Sequence, residues 1–239
     1  MRKKIKLTLM IAIILNSPFI LKAEETSVLN QNSSTRARLT NIKQDHLFHK
    51  QIDEAIYVYE SITNNSEAKI PSKVLRDTKC IVIIPDVMTG AFIIGGTHGE
   101  GVASCKNSEE TWSHPTPISL SKGSIGLQAG AKSADMILFF ISNKAVSALK
   151  KGRFSIGTDV SAIAGNFEAE LDTSTAGVVV YTQTEGIFVG ASMSGSQMNV
   201  NKNEFENYYG SKVNYQDILN GKIFPDETGY TDKLTKLFP

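Results

Sequence analysis

Between residues 36 and 63 the apolar positions Leu39, Ile42, Phe48, Ile52, Ala55, Ile56, Tyr59 and Ile62 recur mainly at steps of three and four. That spacing places them on one side of a cylinder and predicts an amphipathic helix, broken near His46, capped by Ser34 or Thr35 and ended by Asn64-Asn65-Ser66. The residues before it, EETSVLNQNSST (24–35), carry no period and read as a flexible segment. Ile70-Pro71 then opens a short helix, PSKVLRD, with proline in the first turn, where its missing N–H costs nothing.

From Cys80 the period changes. Cys80-Ile-Val-Ile-Ile-Pro85 reads as a buried strand stopped by proline, and strand-like pieces follow at 90–98, 101–106, 117–120, 125–131 and 135–142. Asn143 is expected to cap a helix running to Lys151, with Gly152 at its stop. Further strands are predicted at 154–164, 176–183, 186–193 and 195–200, and helices at 201–209, 215–220 and 231–238. Strands and helices do not alternate regularly, which argues against a Rossmann-type sheet. The expected fold is α+β: a curved, mostly antiparallel sheet or barrel-like β core with an N-terminal amphipathic helix and short C-terminal helices.

The stretch GSIGLQAGAKSADMILFFIS (123–142) tests that reading, because Gly126-x-x-x-Gly130 is also the spacing of packed membrane helices. A membrane helix over 125–141 would bury Gln128, Lys132 and Asp135, and the two charges alone cost roughly 5–7 kcal/mol on insertion scales. As strands the stretch is consistent. Residues 125–132 alternate with a period of two, and 136–141 are apolar on both faces, as in a strand covered on both sides. The Gly126–Gly130 face is then a place to look for an apolar ligand.

Two ends of the composition matter. MRKKIKLTLMIAIILNSPFILKA has a basic start, an apolar centre and a small residue at Ala23, the pattern of a signal peptide over 1–23. The expected location is therefore export to the periplasm or beyond, peripheral to a membrane. No cysteine stands near the cleavage point, so a lipoprotein anchor is not expected. Five of the 25 Lys/Arg and none of the 24 Asp/Glu lie in that leader, which leaves the remaining chain acidic by four charges. An acidic chain does not suit sequence-independent nucleic-acid binding. The cysteines, Cys80 and Cys105, admit two readings, a disulfide in an oxidising compartment or two buried thiols, and sequence leaves both open.

Motifs for catalysis or metal are weak. Gly95-Gly-Thr-His-Gly-Glu-Gly101 lacks the Gly-Lys-Ser/Thr of a phosphate loop and reads as a hairpin turn. Gly190-Ala-Ser192-Met-Ser194-Gly195 approximates a nucleophile elbow, but no histidine follows His114 in the chain. His46, His49, His98 and His114 have no metal-site spacing, and Glu109-Glu110 reads as a solvated turn. The reading is a protein without catalytic residues, metal or cofactor. Lys150, Lys151 and Arg153 form the one dense basic cluster outside the leader. Cations at a helix C-terminus are explained by the dipole, and the competing reading is a lipid-phosphate contact.

IPSKVLRDTKCIVIIP (70–85), GAFIIGGTHGEGV (90–102), WSHPTPISLSKGSIGLQAGAKSADMILFF (112–140), GTDVSAIAGNF (157–167), YTQTEGIFVGASMSGS (181–196) and NYYG (207–210) carry a further signal in their order. Together they resemble the SYLF domain, from about Ala55 to Pro225, within a single domain expected over 36–239. Cys80 replaces the family's glycine, Asn166 its proline, and Glu185-Gly186 its Lys-Gly, which removes one cation. The resemblance implies phospholipid or membrane-surface binding, and in eukaryotic relatives phosphoinositide binding and actin-patch regulation. Arg36, Arg38, Lys43 and Lys50 on the first helix join Lys150, Lys151 and Arg153 as candidate headgroup contacts. Packing of that helix on the β core is the alternative. The expected function is a non-enzymatic, phospholipid-binding protein of the bacterial envelope; the rival is a protein-interaction or structural module with an actin-like or other partner.

Overall fold

In the computed structural model, which describes residues 46–64, 70–91, 94–125, 130–165, 176–183, 193–222 and 229–239, the sheet is built around two apolar runs. One opens strand β1 (Cys80–Ala91) and the other closes β4 (Gly130–Phe140). They lie side by side, antiparallel, with Cys80 opposite Phe140 and Ile84 opposite Met136. Every residue of both runs is at most 1% exposed, as expected where each face of the sheet is covered. Residues 45–239 form one compact unit.

The other strands are β2 (Ile94–Cys105), β3 (Thr116–Ile125), β5 (Arg153–Ser155), β6 (Ala162–Ala164), β7 (Val178–Gln183) and β8 (Gln197–Val200). They join in the order β5-β8-β3-β2-β1-β4-β7-β6. Each pairing is antiparallel except β6 with β7, and the sheet curls into a half-barrel. The helices are α1 (46–63), α2 (Ser72–Asp77), α3 (Asn143–Lys150), α4 (Lys202–Tyr209), α5 (Tyr215–Leu219) and α6 (Asp232–Thr235). The expected α+β class, with its curved and mostly antiparallel sheet, is what forms.

Two details depart from the sequence reading. Pro85 does not stop β1. It sits in a bulge where the register shifts between Ile84 and Val87, and Asp86 takes a φ of 46°. A proline there removes no ladder hydrogen bond. The glycine-rich segment 95–101 is the interior of β2 rather than a hairpin turn, and none of its glycines has positive φ. Its glycines serve a close approach instead: a Cβ on Gly101 would lie 2.0 Å from the Ile83 carbonyl oxygen. The expected 125–131 strand falls largely on residues 126–129, which lie outside the described residues, between β3 and β4. The Gly126–Gly130 face proposed for an apolar ligand falls mostly on residues outside the described set.

Cys80 and Cys105 face each other in register across β1 and β2 and are disulfide-bonded. The bond settles the alternative the sequence left open. Closing 25 residues of chain, it contributes about 3 kcal/mol by restricting the unfolded state. On α1 the side chains of Phe48, Ile52, Ala55, Val58, Tyr59 and Ile62 are buried in the common core. The apolar stripe therefore packs on the protein itself.

Candidate functional site

Helix α3 is short, and its ends are fixed by side chains. Ser142, not Asn143, is the N-cap, its hydroxyl accepting from the Ala145 N–H at 3.1 Å. At the other end Gly152 turns the chain with φ 77°, a position where a Cβ would press on the Tyr215 ring. Helix α5 completes the C-terminus. The Tyr215 hydroxyl donates to the Lys151 carbonyl at 2.9 Å, and the Gln216 amide donates to the Lys150 carbonyl at 3.2 Å. Buried Phe154 then anchors β5 directly after the turn.

This framework splits the predicted basic cluster. Lys150 turns toward α5, donates to Asn220 Oδ1 at 2.8 Å, and has its pKa lowered by burial. Lys151 and Arg153 instead line an open cleft of about 460 Å³ with Lys144, Ser147, Ala148, Phe154, Thr158 and Asp159. Lys144 was missed in the sequence. The signal was its helical spacing, since 144, 147, 148 and 151 share one face of α3. The dipole explains Lys151 at the C-cap but not Lys144, because a cation in the first turn opposes the positive helix end.

The cations of this cleft are unusually unoccupied. Among the described residues the side chains of Lys144 and Lys151 make no hydrogen bond or salt bridge, and Arg153 makes one long hydrogen bond, 3.5 Å, to Gln197. Asp159 lies in the same cleft yet pairs with none of them. Its Oδ2 accepts from the Ser155 N–H at 2.8 Å, while its own N–H donates to the Ser155 carbonyl at 2.9 Å.

The remaining candidates are placed differently. Lys50 is exposed on α1 and bound to Glu54 at 2.7 Å, which raises its pKa by hydrogen bond and charge. It borders a groove whose other charged groups are Asp53, Glu54, Asp86 and Asp135, so its surroundings are acidic. Arg36, Arg38 and Lys43 lie outside the described residues. His49 stacks on Tyr230 with ring centroids 3.9 Å apart, and buried His114 pairs through Nδ1 with the Thr231 hydroxyl. Ser192 is outside the described residues. Among the described residues no group of three or more His, Cys, Asp or Glu is arranged to hold a metal ion, and no helix is long and apolar enough to cross a membrane.

A curled, mostly antiparallel sheet carries short helices, and α3 and β5 frame a cleft lined by Lys144, Lys151 and Arg153. Residues 121–237 match the family model described as Ysc84, Las17-binding protein actin regulator, a range that contains the whole cleft. The chain carries a Ysc84/SYLF family domain. Protein YSC84 of Saccharomyces cerevisiae is 30% identical over 162 residues, covering 64% of this chain and 34% of the relative. LAS seventeen-binding protein 3 of that yeast is 27% identical over 179 residues, 72% of this chain and 39% of the relative. The human SH3 domain-containing YSC84-like protein 1 is 25% identical over 164 residues, 66% and 48% respectively. The chain thus spans between a third and a half of these relatives. No solved structure matches it.

Proposed function

We propose that this chain is a non-enzymatic, phospholipid-binding protein, exported by its N-terminal leader and peripheral to a membrane of the bacterial envelope. One observation carries the reading: Lys144, Lys151 and Arg153 line a single cleft without carboxylate partners among the described residues. Unpaired cations converging on a concavity of headgroup size are arranged for an anionic group, and a lipid phosphate supplies one. Helix α1 is not the membrane-contacting element in this reading, because its apolar stripe is spent on the core. The test is flotation of residues 24–239 with vesicles containing phosphatidylethanolamine and phosphatidylglycerol. Wild type should float, and the Lys144→Ala, Lys151→Ala, Arg153→Ala triple variant should stay behind. Absence of wild-type flotation with every composition sinks the proposal.

A second reading, a protein-interaction module, draws on the printed description of the family and on the name of the relative LAS seventeen-binding protein 3. In that case the cleft takes acidic side chains of a partner. Crosslinking in the envelope should then recover one protein whose capture is independent of lipid and is lost in the triple variant.

A further inference from the structure

The basic cleft is not purely basic. Asp159 stands among its lining residues, opposite in sign to Lys144, Lys151 and Arg153, and forms no salt bridge with any of them. Within one cleft, unlike charges that remain apart leave a gap, and a group carrying both charges fills it. The turn that presents Asp159 is closed by hydrogen bonds. Ser155 and Asp159 exchange two hydrogen bonds, Gly157 N–H donates to the Val160 carbonyl at 2.7 Å, and Gly157 holds a φ of 90° that favours glycine. Oδ2 is committed to the Ser155 N–H, whereas Oδ1 accepts no hydrogen bond among the described residues.

We infer that the cleft recognises a phosphate joined by a short linker to a primary ammonium, the phosphoethanolamine headgroup, with Asp159 Oδ1 accepting from the ammonium. This inference rests on the phospholipid reading and specifies its ligand. The three cations meet the phosphate, and the carboxylate meets a group that is positive and carries N–H donors. A choline headgroup has the same charges but no N–H to donate. Recognition of a quaternary ammonium uses a cage of aromatic faces, and the one aromatic residue of this lining, Phe154, is 4% exposed. A phosphate without an amine, as in phosphatidic acid, meets the cations but gains nothing from Asp159 and is repelled by it.

The experiment uses the processed protein purified from the envelope of the expressing cell. Binding is measured to phosphatidylcholine vesicles doped with phosphatidylethanolamine or with phosphatidic acid. Asp159→Asn keeps an acceptor for the Ser155 N–H and removes the charge; Asp159→Ser does the same with a different shape. Both should retain the wild-type unfolding temperature and bind phosphatidylethanolamine vesicles at least fivefold more weakly, with phosphatidic acid binding unchanged or tighter. Soluble glycerophosphoethanolamine should displace wild type from phosphatidylethanolamine vesicles and not the Asp159 variants, which separates headgroup capture from general surface attraction. Equal loss on both lipids, no preference for phosphatidylethanolamine over undoped vesicles, or no displacement by the soluble headgroup overturns the inference. Wild type that binds no vesicle at all refutes the phospholipid reading itself, a distinct result.

Discussion

Helices α1 and α3 were both marked from sequence as lipid contacts, and they spend their side chains in opposite ways. On α1 the apolar stripe is long and periodic, and it disappears into the core, while exposed Lys50 is neutralised by Glu54. On α3 only Ala145 and Leu149 are buried, and its outward cations Lys144 and Lys151 find no side-chain partner among the described residues. Amphipathicity alone thus reports which face meets something apolar, and on α1 that something is the protein's own core. Unpaired like charges around a cleft report what has been left for another molecule. If the contrast is sound, changes on α1 act on stability and changes on α3 act on binding.

The largest effect should come from emptying the seat of α1. Phe48 is fully buried, with its ring centroid 4.6 Å from that of Tyr208 and 6.1 Å from that of Tyr209 on α4. Phe48→Ala should cost about 3–5 kcal/mol of unfolding free energy, read from denaturant titration, because it removes buried area and leaves a cavity. Vesicle affinity of the molecules still folded should be unchanged. A selective loss of affinity at full stability would make α1 a membrane element after all.

Next in size is the converse experiment. At about 1 kcal/mol for each cation held near an anionic membrane, loss of Lys144, Lys151 and Arg153 together should weaken vesicle binding roughly hundredfold. The unfolding midpoint should hold, since the three side chains are exposed and none is ion-paired among the described residues. Lys150→Ala is the control within the cluster: it breaks the bond to Asn220 and so should move stability more than binding.

How much of this contrast was legible in the sequence follows from what each feature depends on. The apolar runs 80–84 and 136–140 announced buried strands because local composition suffices for that. The bulge at Pro85 and Asp86 was hidden, since a bulge is defined by a partner strand that the sequence does not name. The same blindness turned Gly95–Gly101 into a turn: glycine signals either positive φ or close approach, and only the crossing of Ile83 over Gly101 decides between them. The disulfide needed the register of β1 on β2. Lys150, Lys151 and Arg153 were found as a run, yet adjacency in sequence sent Lys150 to the far side, while Lys144, seven residues before Lys151, belonged with the cleft by helical period.

A smaller effect tests whether α4, whose Tyr208 and Tyr209 meet Phe48 of α1, responds to pH. Glu204, in the first turn of α4, is pushed up to about 7 by burial and then by the charge of Glu100. Its folded pKa exceeds the unfolded one, so the native state binds the extra proton and the contribution to stability is complete below the unfolded value near 4.5. It is lost as pH rises from there to about 7. Unfolding free energy should therefore fall across that window. Glu204→Gln, whose amide oxygen can still accept from the Asn201 side chain, should flatten the fall. An identical slope in the variant would remove Glu204 as its source.

The smallest expected effect is the sharpest comparison with the cleft. Lys50 is as cationic as Lys144 and lies on the helix with the longer apolar stripe, so a reading based on amphipathicity ranks it first. Its ammonium, however, is satisfied by Glu54 within one turn and faces Asp86 and Asp135 across the groove. An anionic headgroup approaching there meets four carboxylates for one cation. Lys50→Ala should consequently leave vesicle binding within error, and an exposed i,i+4 pair contributes too little for its loss to shift the unfolding midpoint. If Lys50→Ala instead weakens binding as much as Lys144→Ala does, charge on the surface as a whole governs attachment, and the cleft is not the site.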